Sequence, residues 1–96
     1  MTNIKELVDC FQEAVDKDAN YIGVLISMPG FEKPELIINP YDNFESKLEY
    51  YLRAYNEDLT LKTFNQIKII TCAYGHSLDE LNTRIYRKFR RIVFNG

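Results

Sequence analysis

The chain has no tryptophan, a single histidine, two cysteines, three prolines and four glycines in 96 residues. Each scarcity narrows what it can do. One histidine with two widely separated cysteines cannot complete a four-ligand structural zinc site without carboxylates, so no metal is expected. The glycines, at 23, 30, 75 and 96, fit neither G-x-x-x-x-G-K-[ST] nor G-x-G-x-x-G, so no phosphate-cradling loop and no cofactor is expected. No apolar run approaches the roughly 18 to 20 residues of a membrane helix. The stretch MTNIKELVDC carries acids where an export signal has cations followed by apolar residues. The expectation is a soluble, unexported, cytoplasmic protein with no membrane partner, in which Cys10 and Cys72 are free buried thiols in a reducing compartment.

What is present describes one small ordered domain. Hydrophobic residues at 46% and aromatics at 14% supply enough apolar surface to offset ordering entropy, and the length suits one core. The net charge of −2 conceals a polarity. Seven Lys or Arg against all fourteen acids leave residues 1–83 at −7, while five basic residues and no acid leave residues 84–96 at +5. Such a distribution can steer a partner, or a second copy head to tail, but it says nothing about fold.

The periodicity predicts an α+β domain in the order α-β-β-α-β-α. Ile4, Leu7, Val8, Phe11, Ala14, Val15 and Ala19 follow the spacing of one buried helical stripe, so a helix is expected over about 4–19, with Asn3 and Glu6 as its capping pair. YIGVLISM (21–28) is apolar on both faces and reads as a central strand. PGFEKP turns the chain and ELIIN (35–39) returns it as a hairpin. Pro40 ends that strand, Asp42 or Asn43 caps a second helix from about 43, and Phe44, Leu48, Tyr51, Leu52 and Tyr55 make its buried stripe. Residues 59–64 alternate and fit either an edge strand or a loop. QIKIITC (66–72) is a strand and AYGH a turn. A Ser77/Glu80 capping box then opens a helix over about 78–93, with Leu78, Leu81, Ile85, Phe89 and Ile92 along one face. A crossover from the second strand to the third predicts a mixed sheet of three strands, or four with 59–64, with the helices on one face or split over both.

Three features bear on function. In RIYRKFRRIVF (84–94), Arg84, Arg87, Lys88 and Arg91 recur at i, i+3, i+4, i+7 opposite the apolar stripe, with Arg90 at the boundary. A cationic stripe of this kind can release counterions from a phosphate backbone. It can equally be the wet face of a surface helix, set against the acidic first helix. The overall acidity and the absence of helix-turn-helix, zinc-finger, RNP or GxxG signatures weigh against nucleic acid. Second, Cys72 and His76 with Asp79 nearby outline a thiol nucleophile and base, but no Gly-rich oxyanion turn accompanies them, and the chain reads as a non-enzyme. Third, Phe31 at the hairpin tip and Tyr41, Tyr50 and Tyr74 are candidates for an exposed protein contact, because aromatic residues enrich interfaces.

The stretch IINPYDNFESKLEYYLRAYNEDLTLKTFNQIKII (37–70), in which an INP turn precedes an NF-x₃-L-x-YY-x₂-AYN helix, resembles short proteins encoded by phages and prophages of low-GC Gram-positive bacteria. The resemblance covers about a third of the chain. It implies a mobile-element origin, and a setting in the cytoplasm of the bacterial host, and it supplies no catalytic residue. The expectation is a small non-enzymatic accessory protein that binds another protein or itself, with nucleic-acid binding through the basic helix as the alternative and a Cys72/His76 thiol enzyme as the remote one.

Overall fold

A computed structural model describes residues 1–95. Three helices pack on one four-stranded sheet: α1 (Ile4–Asp16), β1 (Tyr21–Ser27), β2 (Glu35–Pro40), α2 (Phe44–Ala54), β3 (Thr60–Leu61), β4 (Phe64–Gly75) and α3 (Leu78–Asn95). The α+β class and the element order are those the periodicity predicts. Two of the three expected caps form, while Asn43 stands at the N-cap of α2 without a side-chain capping bond, because a 3-10 turn over Tyr41–Asn43 leads into that helix. Asn3 Oδ1 accepts from the Glu6 N–H at 3.0 Å, and Ser77 Oγ accepts from the Glu80 N–H at 3.1 Å. Among the described residues no helix is long and apolar enough to cross a membrane.

The sheet corrects the mixed topology. Its strand order is β2-β1-β4-β3 and every neighbouring pair is antiparallel. The connection from β2 through α2 leads first to β3, which runs antiparallel to β2; β4, which follows, is parallel to β2, but β1 lies between the two, so no parallel ladder forms. The hairpin β1–β2 is as expected, with Val24 opposite Ile37.

β4 is longer than the QIKIITC stretch predicts, and AYG is not a turn. Ala73, Tyr74 and Gly75 continue the strand because β1 pairs with them to its own first residue, Tyr21 opposite Gly75. Residues 60–61 form the short fourth strand. Its entry explains the ambiguity of this segment: Leu59 turns the chain at φ 73°, a left-handed conformation that costs leucine about 1–2 kcal/mol. Leu59 is completely buried and its carbonyl accepts from the Ile69 N–H at 2.9 Å, and these interactions offset that cost. α1 likewise stops at Asp16, short of residue 19, where Asp18 enters the left-handed region at φ 53°.

The helices divide between the two sheet faces. On one, α1 and α2 cover Ile22, Val24, Ile26, Ile69, Cys72 and Tyr74. Phe11, Phe44, Tyr51 and Tyr55 form edge-to-face contacts there at 5.6–6.3 Å. On the other, α3 alone packs Leu81 and Ile85 on Leu25 and Ala73, with Tyr21, Leu36 and Phe89 partly buried around them. Since β3 pairs only with the start of β4, the second half of β4 is an open sheet edge, and α1 and α3 stand on either side of it.

A candidate contact surface around the terminal helix

α3 begins where β4 ends, over Gly75. A Cβ added there would meet the Leu81 backbone nitrogen at 2.6 Å and the Ser77 carbonyl oxygen at 3.0 Å. Glycine is therefore required for the helix to start this close to the strand. From that anchor the apolar stripe runs down Leu81 and Ile85, both fully buried, to Phe89, which is half-buried. Beyond Phe89 the exposure of the apolar side chains rises: Ile92 is 37% exposed, Val93 55% and Phe94 79%. Leu78 and Ile92, expected on the buried stripe, are partly exposed, Leu78 at the first position of the helix and Ile92 beside Phe89 along a shallow groove with Lys68, Ile69 and Ile70 of β4.

The cationic stripe faces the open edge of β4, and the fold uses part of it. Lys88 Nζ donates to the Cys72 carbonyl oxygen at 2.7 Å, covering one of the backbone acceptors that an unpaired strand edge exposes. Arg84 stacks over the Tyr74 ring, 4.4 Å from its centroid, and its Nη1 lies 3.4 Å from Glu80 Oε1. The Tyr74 hydroxyl in turn donates to Glu13 Oε1 of α1 at 3.0 Å. Arg84, Tyr74 and Glu13 thus link the basic helix to the acidic one across the edge of the sheet. Among the described residues, no ion pair engages Arg87, Arg90 or Arg91, all of which are exposed. A cleft of about 390 Å³ lies between the helices, with Glu6, Asp9 and Glu13 on one wall, Lys88 and Arg91 on the other, and Cys10 and Thr71 between them.

Comparison with protein-family models, curated proteins and solved structures found no match. The arrangement of side chains is therefore the ground for any functional reading.

The structure does not assemble the other expected sites. Tyr74 is 5% exposed, committed to Glu13 and Arg84, and is corrected from surface contact to core residue. Phe31, Tyr41 and Tyr50 are exposed, but on separate features: the hairpin tip, the turn before α2, and the outer side of α2 beside Lys47. Tyr41 also lines a groove between α1 and α2 with Val8, Val15 and Leu48. Cys72 and His76 are not a dyad. Four residues of extended chain separate them by about 13 Å, and Cys72 is fully buried, where desolvation pushes its thiol well up. The His76 ring is occupied elsewhere, with Nε2 2.8 Å from the Lys17 carbonyl oxygen and Nδ1 3.5 Å from Glu80.

Sequence reasoning missed the apolar end of α3. The signal was available: Ile92, Val93 and Phe94 are consecutive, so at about 100° per residue they span too much of the helix circumference to share one buried stripe.

Proposed function

We propose that this chain is a small non-enzymatic binding protein whose contact surface is the exposed C-terminal end of α3, in keeping with an accessory role in a phage or prophage. One observation carries the reading. Val93 and Phe94 are largely exposed and belong to neither core cluster, beside Arg90 and Arg91, and a mixture of exposed aromatic, aliphatic and arginine side chains is the composition of a protein interface. A second copy is one candidate occupant, because the acidic α1 complements the basic α3. The phage origin rests on the resemblance of residues 37–70 alone.

The alternative is nucleic-acid binding, which the unpaired Arg87, Arg90 and Arg91 favour. One experiment separates the two. Light scattering and pull-down from a Gram-positive bacterial lysate are run alongside anisotropy titrations with DNA and RNA at about 50 and about 200 mM salt. The protein-binding reading expects a dimer or a specific captured partner that Phe94→Glu abolishes while circular dichroism is unchanged. Binding of nucleic acid that falls more than tenfold between the two salts, and is lost in the triple Arg87→Glu, Arg90→Glu, Arg91→Glu variant, would promote the alternative. A monomer with no specific partner and no nucleic-acid affinity would defeat both.

A further inference from the structure

The groove between α1 and α2 has a volume of about 470 Å³. The nearly buried rings of Phe11 and Phe44, whose centroids are 6.3 Å apart, line it together with the exposed side chains of Val15 and Tyr41. Val15 belongs to the apolar stripe of α1 and is still 41% exposed. Among the described residues, the charged groups lining this groove are both acids, Asp42 and Glu45. An apolar groove edged by carboxylates complements an apolar side chain flanked by cations. The chain carries that counterpart itself. Phe94 follows Arg91, Arg90 and Arg87 by three, four and seven residues, which sets all four on one face of α3. It is the most exposed large hydrophobic side chain among the described residues, and no ion pair among them engages the three arginines. Groove and helix face belong to opposite sides of the sheet, since α1 and α2 cover one and α3 the other. They can meet only between two molecules.

We propose that the C-terminal end of α3 docks into the α1–α2 groove of a second copy of this chain, with Phe94 between Val15 and Tyr41 and the arginines against Asp42 and Glu45. This inference rests on the reading of the α3 end as the contact surface and commits that surface to one partner. Aromatic packing of Phe94 on the groove supplies the apolar centre of the contact. Guanidinium-to-carboxylate hydrogen bonds supply its polar rim. Each copy inserts one helix end and receives another. A pair closes on itself only where both helix ends reach both grooves at once; otherwise a free groove and a free helix end remain, and copies add head to tail into a ring or an open chain. The charge polarity of the sequence runs the same way, acidic where a copy receives and basic where it inserts.

The test follows the mass of the full chain by sedimentation as concentration rises from about 10 μM to about 1 mM, a span that covers weak contacts. Wild type should associate. Phe94→Glu and Val15→Arg, which replace exposed side chains, should each stay monomeric with circular dichroism unchanged. Mixed in equal amounts, the two variants should recover a one-to-one pair, because Phe94→Glu keeps a sound groove and Val15→Arg a sound helix end. Where Val15→Arg does not fold, Tyr41→Arg takes its place. Wild-type association that Val15→Arg leaves intact would overturn the proposal, since the helix end would then meet some other surface, and so would a mixture that stays monomeric. A wild type that is monomeric throughout would overturn it as well. In that case a lysate partner lost on Phe94→Glu leaves the α3 contact surface standing, and a partner retained by Phe94→Glu removes that reading too.

Discussion

On one face of the sheet, α1 and α2 bury Phe11, Phe44, Tyr51 and Tyr55 in a continuous aromatic cluster. On the other, α3 alone buries Leu81 and Ile85 and ends with Val93 and Phe94 largely exposed. The same strands supply both faces, so the difference lies in how many helices cover each. Two helices close a face and convert its apolar area into stability, at roughly 25 cal/mol per Å². A single helix leaves its own flanks open, and its outer residues are free to be selected for something other than folding.

Paired substitutions sharpen that contrast. Leu7, fully buried on the two-helix face, should lose about 3 kcal/mol on replacement by alanine, from lost transfer energy and the cavity left behind. Phe94→Ala should cost less than about 0.5 kcal/mol despite removing a larger side chain. Urea unfolding of the two variants checks this directly, and equal losses would mean that the end of α3 is packed. On the α3 face the sensitive point is the backbone contact at Gly75. Gly75→Ala forces a Cβ against the Leu81 amide and should cost about 2 kcal/mol in the same assay.

One substitution should give a gain. The Tyr51 hydroxyl is buried with no hydrogen-bond partner among the described residues, so Tyr51→Phe should stabilise the protein by about 1 kcal/mol at neutral pH. Desolvation, reinforced by the neighbouring Tyr55, pushes the Tyr51 phenol well above its ordinary range. A folded pKa raised above the unfolded one contributes stability that is whole below about pH 10 and is lost as pH climbs beyond it. The wild type should therefore weaken above that pH, and Tyr51→Phe should weaken less. Unfolding curves at neutral pH and at about pH 11 measure both effects.

Much of this fold was legible because its elements announce themselves locally. The stripe from Leu7 to Ala14, the Asn3 and Ser77 caps and the hairpin around Gly30 are written within a few residues of where they act. Strand neighbours are not written that way. That β4 joins β1 rather than β2 depends on which apolar faces meet after collapse, and the same pairing carries Tyr74 from an apparent turn into the core. The basic stripe was readable as a face of a helix. Its surroundings were not, because Tyr74, Glu13 and the Cys72 carbonyl come from two other elements. Likewise each cysteine read correctly as a buried thiol, but that both join the one core cluster follows from the packing of α1 on β4.

The β2-β1-β4-β3 order also governs when the chain can fold. The central ladder joins Tyr21 to Gly75 and Ser27 to Lys68, partners about 40 to 55 residues apart, so closing it means ordering a loop that holds β2, α2 and β3 before the pairing itself gives any return. During synthesis the β1–β2 hairpin emerges early and must wait, with one edge of β1 unpaired, until β4 leaves the ribosome. The centre of the sheet is thus its last part to assemble.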